Sequence, residues 1–282
     1  MKSGFVVLIG RSNVGKSTLL NNLIGSKVAI TTPKPQTTRR PVRGILTEER
    51  GQIVFLDTPG VLQKRDVLTK KLLGIVKDSL QGVDVLVYVV DATRETGDEE
   101  KMALGLVRGA RTKKILAINK IDERKAEYNI DTYRDLGGDF DHVVEISALN
   151  GTHLGTLKEQ LFDLLPEGEF HYPEGQVTDV SNTFLIAELI REKLFLRLHE
   201  EVPYGIHVVV NDVQERKDGT LYISAEILTN QDRYKSMIIG KDGRGIREVG
   251  QAARKDLEAI TQHHVFLDLH VSVDERWVET HI

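Results

Sequence analysis

Eight consecutive residues, Gly10-Arg11-Ser12-Asn13-Val14-Gly15-Lys16-Ser17, carry the strongest chemical signal in this sequence. Glycines at positions 10 and 15 let the backbone curl so that its N–H groups converge on phosphate oxygens. Lys16 can then reach the β- and γ-phosphates of a nucleotide, and the Ser17 hydroxyl can ligate Mg²⁺. Thr18 carries the chain into a helix-like run, whose N-terminus adds partial positive charge beneath the phosphates. Further along, Asp57-Thr58-Pro59-Gly60, followed by Val61, offers a carboxylate that can hold Mg²⁺ through water and a Gly60 N–H that can meet a γ-phosphate. Asn119-Lys120-Ile121-Asp122 offers a second carboxylate. Asp122 can accept from both N1–H and the 2-amino group of guanine, a pair that adenine cannot supply. Because unpaired polar groups in a site are costly, this one residue predicts guanine over adenine. Ser147-Ala148-Leu149 adds a backbone N–H for guanine O6. Between the first two loops lies Gln36-Thr37-Thr38-Arg39-Arg40. A threonine hydroxyl there can complete the Mg²⁺ shell only while a γ-phosphate is present, which is how a switch segment behaves.

A second signal lies at Ile239-Gly240-Lys241-Asp242-Gly243-Arg244, a G-x-x-G loop between two helix-like segments. Its glycines let a phosphodiester backbone come close, and the flanking helix ends supply N–H groups. The stretch Arg233–Lys255 holds seven basic residues against Asp242 and Glu248, which suits phosphate contacts. Asp242 runs the other way, since an anion inside the loop repels phosphate.

Such loops must be held at the ends of regular elements. Strands are predicted at Phe5–Ile9, Ile53–Leu56, Val83–Val90, Lys114–Ile118 and Val143–Ile146, with helices at Lys16–Ile24, Lys70–Gln81, Glu99–Gly109 and Leu154–Leu165. Short runs apolar on both faces, alternating with amphipathic ones, predict a doubly wound α/β domain with a largely parallel sheet. Gly44–Glu48 is placed as an extra strand, antiparallel to Ile53–Leu56 across a turn at Glu49–Gly51. Residues 1–168 form this first domain. The Pro-, Gly- and Glu-rich stretch 169–180 lacks periodicity and reads as a linker. Residues 181–282 follow the order αββααβ: helix Ser181–His199, strands Ile206–Gln214 and Thr220–Thr229 flanking Lys217-Asp218-Gly219, a helix ending at Ile239, a helix Arg244–Ile260, and strand Val265–Val273.

Composition narrows the alternatives. The chain has 282 residues, 40% hydrophobic and 28% charged, as expected of a folded two-domain protein. With no cysteine it has no disulfides, thiolate metal sites or cysteine nucleophile. Its net charge of −4 divides into +2 before Phe170 and −6 from there on, which argues against general nucleic-acid adhesion. Apolar runs stop short of a membrane span, and Met1–Gly4 leads straight into a strand-like run, so a cytoplasmic location is expected.

The four loops in order at strand ends resemble the guanine-nucleotide motifs of the translation-factor class of GTPases. The G-x-x-G loop within αββααβ resembles a type II KH domain, a module that clamps about four nucleotides of single-stranded RNA. Together they resemble the bacterial Era family over essentially the whole chain. Gln36-Thr37-Thr38-Arg39, Ile238-Ile239-Gly240-Lys241 and Glu201-Val202-Pro203-Tyr204 carry the likeness as well. The resemblance implies a P-loop GTPase domain followed by a smaller α+β KH domain, using GTP, GDP and Mg²⁺. It implies Ser17, Thr38 and Asp57 as the Mg²⁺ set, Lys16, Thr38 and Gly60 as catalytic groups, and Asn13 as a candidate potassium ligand in place of an arginine finger. It also implies binding of the 3′ end of small-subunit (16S) ribosomal RNA through Ile239–Arg244, action in 30S subunit assembly, and peripheral association with the inner membrane. A monomer is expected. Val61 stands where Ras-like enzymes carry a water-orienting glutamine, so slow hydrolysis is expected. Two alternatives stay open: an RNA-binding module gated by GTP with negligible turnover, and a GTPase whose KH-like domain docks a protein.

Overall fold

The computed structural model describes residues 1–64 and 66–281. Ile282, the last residue of the span read as the RNA-binding domain, lies outside the described residues. The chain forms two compact units: Met1–Thr31 with Thr38–Asp179, and Thr32–Thr37 with the residues from Val180 onward.

The first unit is built on β1 (Lys2–Ile9), whose Val6–Ile9 have no exposed surface. Such a strand must be covered on both faces, and crossover helices cover it. After β1 come α1 (Lys16–Ile24), β2 (Val42–Glu48), β3 (Gly51–Asp57), α2 (Val67–Asp78), β4 (Val85–Asp91) and α3 (Asp98–Gly109). Then follow β5 (Lys113–Asn119), the short α4 (Ile130–Arg134), β6 (His142–Glu145) and α5 (Leu154–Leu164). The sheet order is β2-β3-β1-β4-β5-β6, parallel except for β2, which pairs antiparallel with β3 from Val42 opposite Asp57 to Glu48 opposite Gly51. The chain leaves β1 where the strand order reverses, the place at which open α/β sheets bind ligands. On one face Val7, Ile9, Leu86, Tyr88 and Val90 pack beneath Val76, Ala103 and Val107 of α2 and α3. Residues 171–178 run as irregular chain along this unit, with the Gln52 side chain bonded to the backbone of His171 and Tyr172, and Ile45 to that of Val177.

In the second unit α6 (Asn182–Arg197) starts at Ser181, whose hydroxyl accepts from the Phe184 N–H at 3.2 Å and so caps the helix. Strands β7 (Ile206–Glu215), β8 (Leu221–Thr229) and β9 (Val265–Val273) form a sheet in that order, β7-β8 antiparallel and β8-β9 parallel. Gly219 turns the hairpin at φ +80°. The parallel β8-β9 pair needs a crossover, supplied by α7 (Asp232–Ile239) and α8 (Arg244–Thr261).

Three elements differ from expectation. Helix α2 starts at Val67 because the Asp66 carboxylate accepts the Thr69 N–H at 2.7 Å, a capping signal ahead of the apolar pattern. The five-residue α4 and α9 (Trp277–His281) are too short to show a period. Helix α9 is held by Trp277, fully buried and stacked on His207 with ring centroids 5.5 Å apart. No helix among the described residues is long and apolar enough to cross a membrane.

Candidate nucleotide site and RNA-binding loop

The phosphate loop of the first unit needs its glycines for space as well as conformation. A Cβ on Gly10 would lie 2.2 Å from the Val89 carbonyl oxygen. Gly15 sits at φ +100°, and a Cβ there would meet the Asn119 amide nitrogen at 2.4 Å. Asn13 also takes a left-handed φ of 65° at the exposed tip of the loop, a conformation that Asn tolerates. Lys16 bends back over the loop, its Nζ donating to the carbonyls of Gly10 at 3.2 Å and Arg11 at 3.0 Å.

Three oxygens from three elements converge below it. The Ser17 hydroxyl donates to Asp57 Oδ2 at 2.5 Å and lies 3.0 Å from the Thr38 hydroxyl, which is 3.3 Å from the same carboxylate oxygen. The other Asp57 oxygen, Oδ1, is buried without a hydrogen-bond partner. A carboxylate and two hydroxyls, with one buried oxygen left over, fit a hard divalent cation such as Mg²⁺. The electrostatics agree. Burial holds the Lys16 ammonium down at about 8, against the opposing pull of Asp57 and Glu100. Burial also pushes the Asp57 carboxyl up, against the Lys16 charge and the Ser17 and Thr38 hydroxyls. Both groups gain if a phosphate and a cation arrive together.

The loop after β3 is stitched to the phosphate loop by its backbone. The Val61 N–H donates to Gly10 at 3.0 Å, and the Ser12 N–H donates to Val61 at 3.2 Å. A Cβ on Gly60 would lie 2.5 Å from the Ser12 Cα. Thr58 turns inward, donating to the Leu8 carbonyl at 2.7 Å, and Pro59 is buried. The Val61 side chain is 1% exposed and belongs to the core beside Val7 and Tyr88, which is why an apolar residue stands there. It cannot orient water.

Asn119 braces the base-side loops: its amide donates to the Val14 carbonyl at 2.7 Å, and its oxygen accepts the Ala148 N–H at 2.8 Å. The Ala148 N–H is thereby engaged by a side chain. Lys120, in a left-handed conformation, pairs with Asp91 at 2.7 Å. Ser147 accepts the Asn150 N–H at 3.1 Å and holds the loop closed. Asp122 projects from the loop after β5 and is exposed. Four of these supporting groups were not singled out from sequence: Asp91, Asn22, Arg94 and Glu100. Asn22 donates to the Ala148 carbonyl, and Arg94 donates to the Ser12 carbonyl at 3.2 Å. Glu100 forms a buried ion pair with Arg11 at 2.6 Å. It also accepts from the Tyr88 and Tyr133 hydroxyls, whose phenols burial pushes up so that they stay protonated. Asp91 stands at the end of β4, a signal that would have found it, but nothing local distinguishes the others.

In the second unit, Gly240 has φ 71° with ψ 175°, and Gly243 caps α8 in the left-handed region. Asp242 between them has φ 53° and ψ 30°. Asp and Asn adopt that conformation more readily than other non-glycine residues, which gives the anion a conformational reason to be there. Ile239 is half-buried, while Lys241, Asp242 and Arg244 are exposed. Alongside the loop runs a groove of about 480 Å³, lined by Ile246, Arg247 and Arg254 of α8 and by Val265, Leu267 and Leu269 of β9. An apolar floor with a basic wall suits unstacked bases and their phosphates. Within the first unit, Gly10–Thr18, Asp57–Val61, Asn119–Asp122 and Ser147–Leu149 lie at or just after the C-terminal ends of β1, β3, β5 and β6, Thr38 meets the first two through Ser17 and Asp57, and Arg39 and Arg40 follow Thr38. Gln36 and Thr37 belong to the second unit.

A guanine-nucleotide domain of the P-loop class followed by a KH domain is what fold and loops define. The family model for 50S ribosome-binding GTPases matches residues 5–120, and that for KH domains matches residues 201–278. GTPase Era of Halothermothrix orenii is 45% identical over 99% of this chain and 95% of its own, and GTPase Era of Carboxydothermus hydrogenoformans is 45% identical over 98% and 94%. A tyrosine-to-alanine variant of Aquifex aeolicus Era bound to GDP·AlF4⁻ superposes with a TM-score of 0.93 at 38% identity, covering 99% of this chain and 96% of that one. Era in complex with MgGDPNP and nucleotides 1506–1542 of 16S ribosomal RNA matches with the same score and identity, over 99% and 95%. The chain belongs to the Era family of GTPases.

Proposed function

We propose that this protein is a GTP-hydrolysing switch that binds the 3′ end of 16S ribosomal RNA through its KH domain and acts in maturation of the 30S subunit. The observation that carries the reading is the Thr38 hydroxyl, 3.0 Å from Ser17 and 3.3 Å from Asp57: a residue of a switch loop stands among the candidate Mg²⁺ ligands. The complex of Era with MgGDPNP and a 16S RNA fragment supports the choice of RNA. Residues 1–168 hold the nucleotide, 169–180 link, and 181–282 hold RNA at Ile239–Arg244. Ser17, Thr38 and Asp57 take the Mg²⁺, which neutralises charge on the transferred phosphoryl group, while Lys16 and the Gly60 N–H stabilise the γ-phosphate. With Val61 in the core, water is oriented otherwise, and Asn13, at the exposed tip of the loop, would hold a potassium ion whose charge would offset that developing on the phosphates. GTP favours the RNA-binding state, and RNA must then favour GTP by the same factor. The protein works as a monomer in the cytoplasm, with peripheral contact to the inner membrane.

The test is binding of a single-stranded RNA copied from the 16S 3′ end, with GDP and then with a non-hydrolysable GTP analogue. Tighter binding with the analogue, abolished by Gly240→Asp, is expected. Equal weak binding in both states, independent of salt, would instead favour the second reading, a KH domain that docks a protein, to which Asp242 and the net −6 of the C-terminal part point.

A further inference from the structure

Within the first unit, the phosphate loop and the turn after β4 hold one another through a reciprocal pair of arginines. From the loop, Arg11 reaches out beside its ion pair with Glu100. It donates from Nη1 to the Glu95 carbonyl at 3.2 Å and from Nη2 to the Tyr133 hydroxyl at 3.1 Å. From the turn, Arg94 reaches back and donates through Nη1 to the Ser12 carbonyl at 3.2 Å. The Arg94 backbone is fixed for this task. Its N–H donates to the Asp91 carbonyl at 3.1 Å, and its own carbonyl accepts from the Tyr133 hydroxyl at 3.0 Å. Arg11 and Tyr133 are buried, whereas Arg94 is exposed. Ser12 is pinned on its other side as well: its N–H donates to the Val61 carbonyl at 3.2 Å, and its Cα packs against Gly60.

The carbonyl that Arg94 holds shares a planar trans peptide with the Asn13 N–H, and the two groups of such a peptide point in opposite directions. Drawing the Ser12 oxygen out to Arg94 therefore turns the Asn13 N–H the other way, into the curl of the loop where the β- and γ-phosphates belong. Asn13 has φ 65°, a left-handed conformation that a non-glycine residue adopts at a cost. Half a turn of the Ser12–Asn13 peptide would return Asn13 to the negative φ that L residues prefer, and would aim a carbonyl oxygen at the phosphates instead. We propose that Arg94 is a positioning residue for GTP hydrolysis: by binding the Ser12 carbonyl, it holds this peptide in the orientation that gives the Asn13 N–H to the phosphates. In the reaction a water oxygen bonds to the γ-phosphorus while the bond from that phosphorus to the oxygen shared with the β-phosphate breaks. The electron pair of that bond stays on GDP, and both water hydrogens leave on inorganic phosphate. Negative charge thus moves onto the β-phosphate as the γ-phosphoryl group departs. A preorganised N–H aimed there gains most in the transition state, so its loss falls on turnover more than on nucleotide affinity. Placing the phosphates in this loop rests on the function proposed above.

The test uses the full-length chain with substitutions of Arg94, whose exposure spares the fold. Arg94→Met keeps an apolar stem and removes the donors. It is expected to lower kcat about tenfold or more while GDP affinity stays within about threefold. Formation of the GDP·AlF4⁻ complex, read with a fluorescent GDP, should weaken by a factor similar to that in kcat, because it mimics the group in transfer. Arg94→Ala should match Arg94→Met. Arg94→Lys should recover most of the turnover, since one carbonyl needs one donor. Turnover of Arg94→Met within about twofold of the parent overturns the proposal. So does a loss of turnover that tracks equal losses of GDP affinity and thermal stability, since that is a structural role alone. Failure of Arg94→Lys alongside Arg94→Met also overturns it, because the guanidinium itself would then be needed on the phosphates. Lys16→Ala separates the two levels. If it is inactive while Arg94→Met is not, positioning by Arg94 fails but the nucleotide site stands. If Lys16→Ala turns over normally, that site lies elsewhere and the proposal falls with it.

Discussion

The Asn119 side chain donates to the Val14 carbonyl at 2.7 Å, tying the loop after β5 to the phosphate loop from within the protein. With the Ala148 N–H on its oxygen, one buried amide joins three of the four nucleotide loops. Asn119→Ala leaves a buried carbonyl and a buried N–H unpaired, at about 1–3 kcal/mol each. GDP and GTP affinity should fall together, about tenfold or more, in titrations with a fluorescent nucleotide. A change confined to base preference would contradict the bracing role.

Asp122 is exposed, so its substitution should act on the base alone. Asp122→Asn replaces one acceptor by a donor, which clashes with the guanine 2-amino group and suits the 2-oxo group of xanthine. GDP affinity should drop about a hundredfold or more, with xanthosine diphosphate becoming the preferred competitor. Retained preference for GDP in a competition assay would remove Asp122 from the base site.

Arg11 and Glu100 form a buried ion pair whose side chains are 4% and 2% exposed. Glu100→Ala strands the guanidinium, which typically costs about 3–5 kcal/mol. A double change, Arg11→Met with Glu100→Leu, should recover most of that loss because it removes both charges. Thermal unfolding of the parent and the two variants checks the order, and equal stability of the single and double variants would refute the pairing.

Glu48 accepts from Lys158 at 2.8 Å and from Arg50 at 2.9 Å, joining β2 to α5. Burial alone would raise its carboxyl, but the bonds and charges of Lys158 and Arg50 outweigh burial and hold it below the usual range. A depressed carboxyl adds stability that is present above its unfolded value, about 4.3, and is lost as pH falls through the folded one. Glu48→Gln should therefore lower stability at pH 7 by under about 1 kcal/mol and by progressively less below pH 4. Denaturation at pH 7 and pH 3 measures the difference, and a larger gap at pH 3 would reverse the sign.

Asp242 combines a left-handed backbone with an unfavourable charge. Asp242→Asn keeps the conformation and removes the anion, so RNA affinity should rise several-fold at low salt, and less at high salt. Filter binding at two ionic strengths decides it. No gain would mean that phosphate does not approach the loop at this residue.

Much of the first unit could be read from residue order, since each nucleotide loop is a short local motif at the end of an apolar strand. Gly10–Ser17, Asp57–Gly60 and Asn119–Asp122 are examples. So could the antiparallel β2, whose turn at Glu49–Gly51 is local, and the hairpin at Gly219. Helix α9 escaped because Trp277 and His281, which hold it, stack on a residue at least seventy positions earlier, His207. Local pattern cannot reveal such a pair.

Chemistry of the loops was thus written in the order of residues, because phosphate and guanine are met by backbone and side chains a few positions apart. Which atoms remain available was not. That the Ala148 N–H is taken by Asn119, that Val61 lies in the core beside Val7 and Tyr88, and that Thr37 is held by Arg191 depend on residues 27 to 154 positions away. Burial makes each of these partners obligatory, and burial is a property of packing between elements. The motifs name a nucleotide and an RNA, while packing chooses which groups are left to meet them.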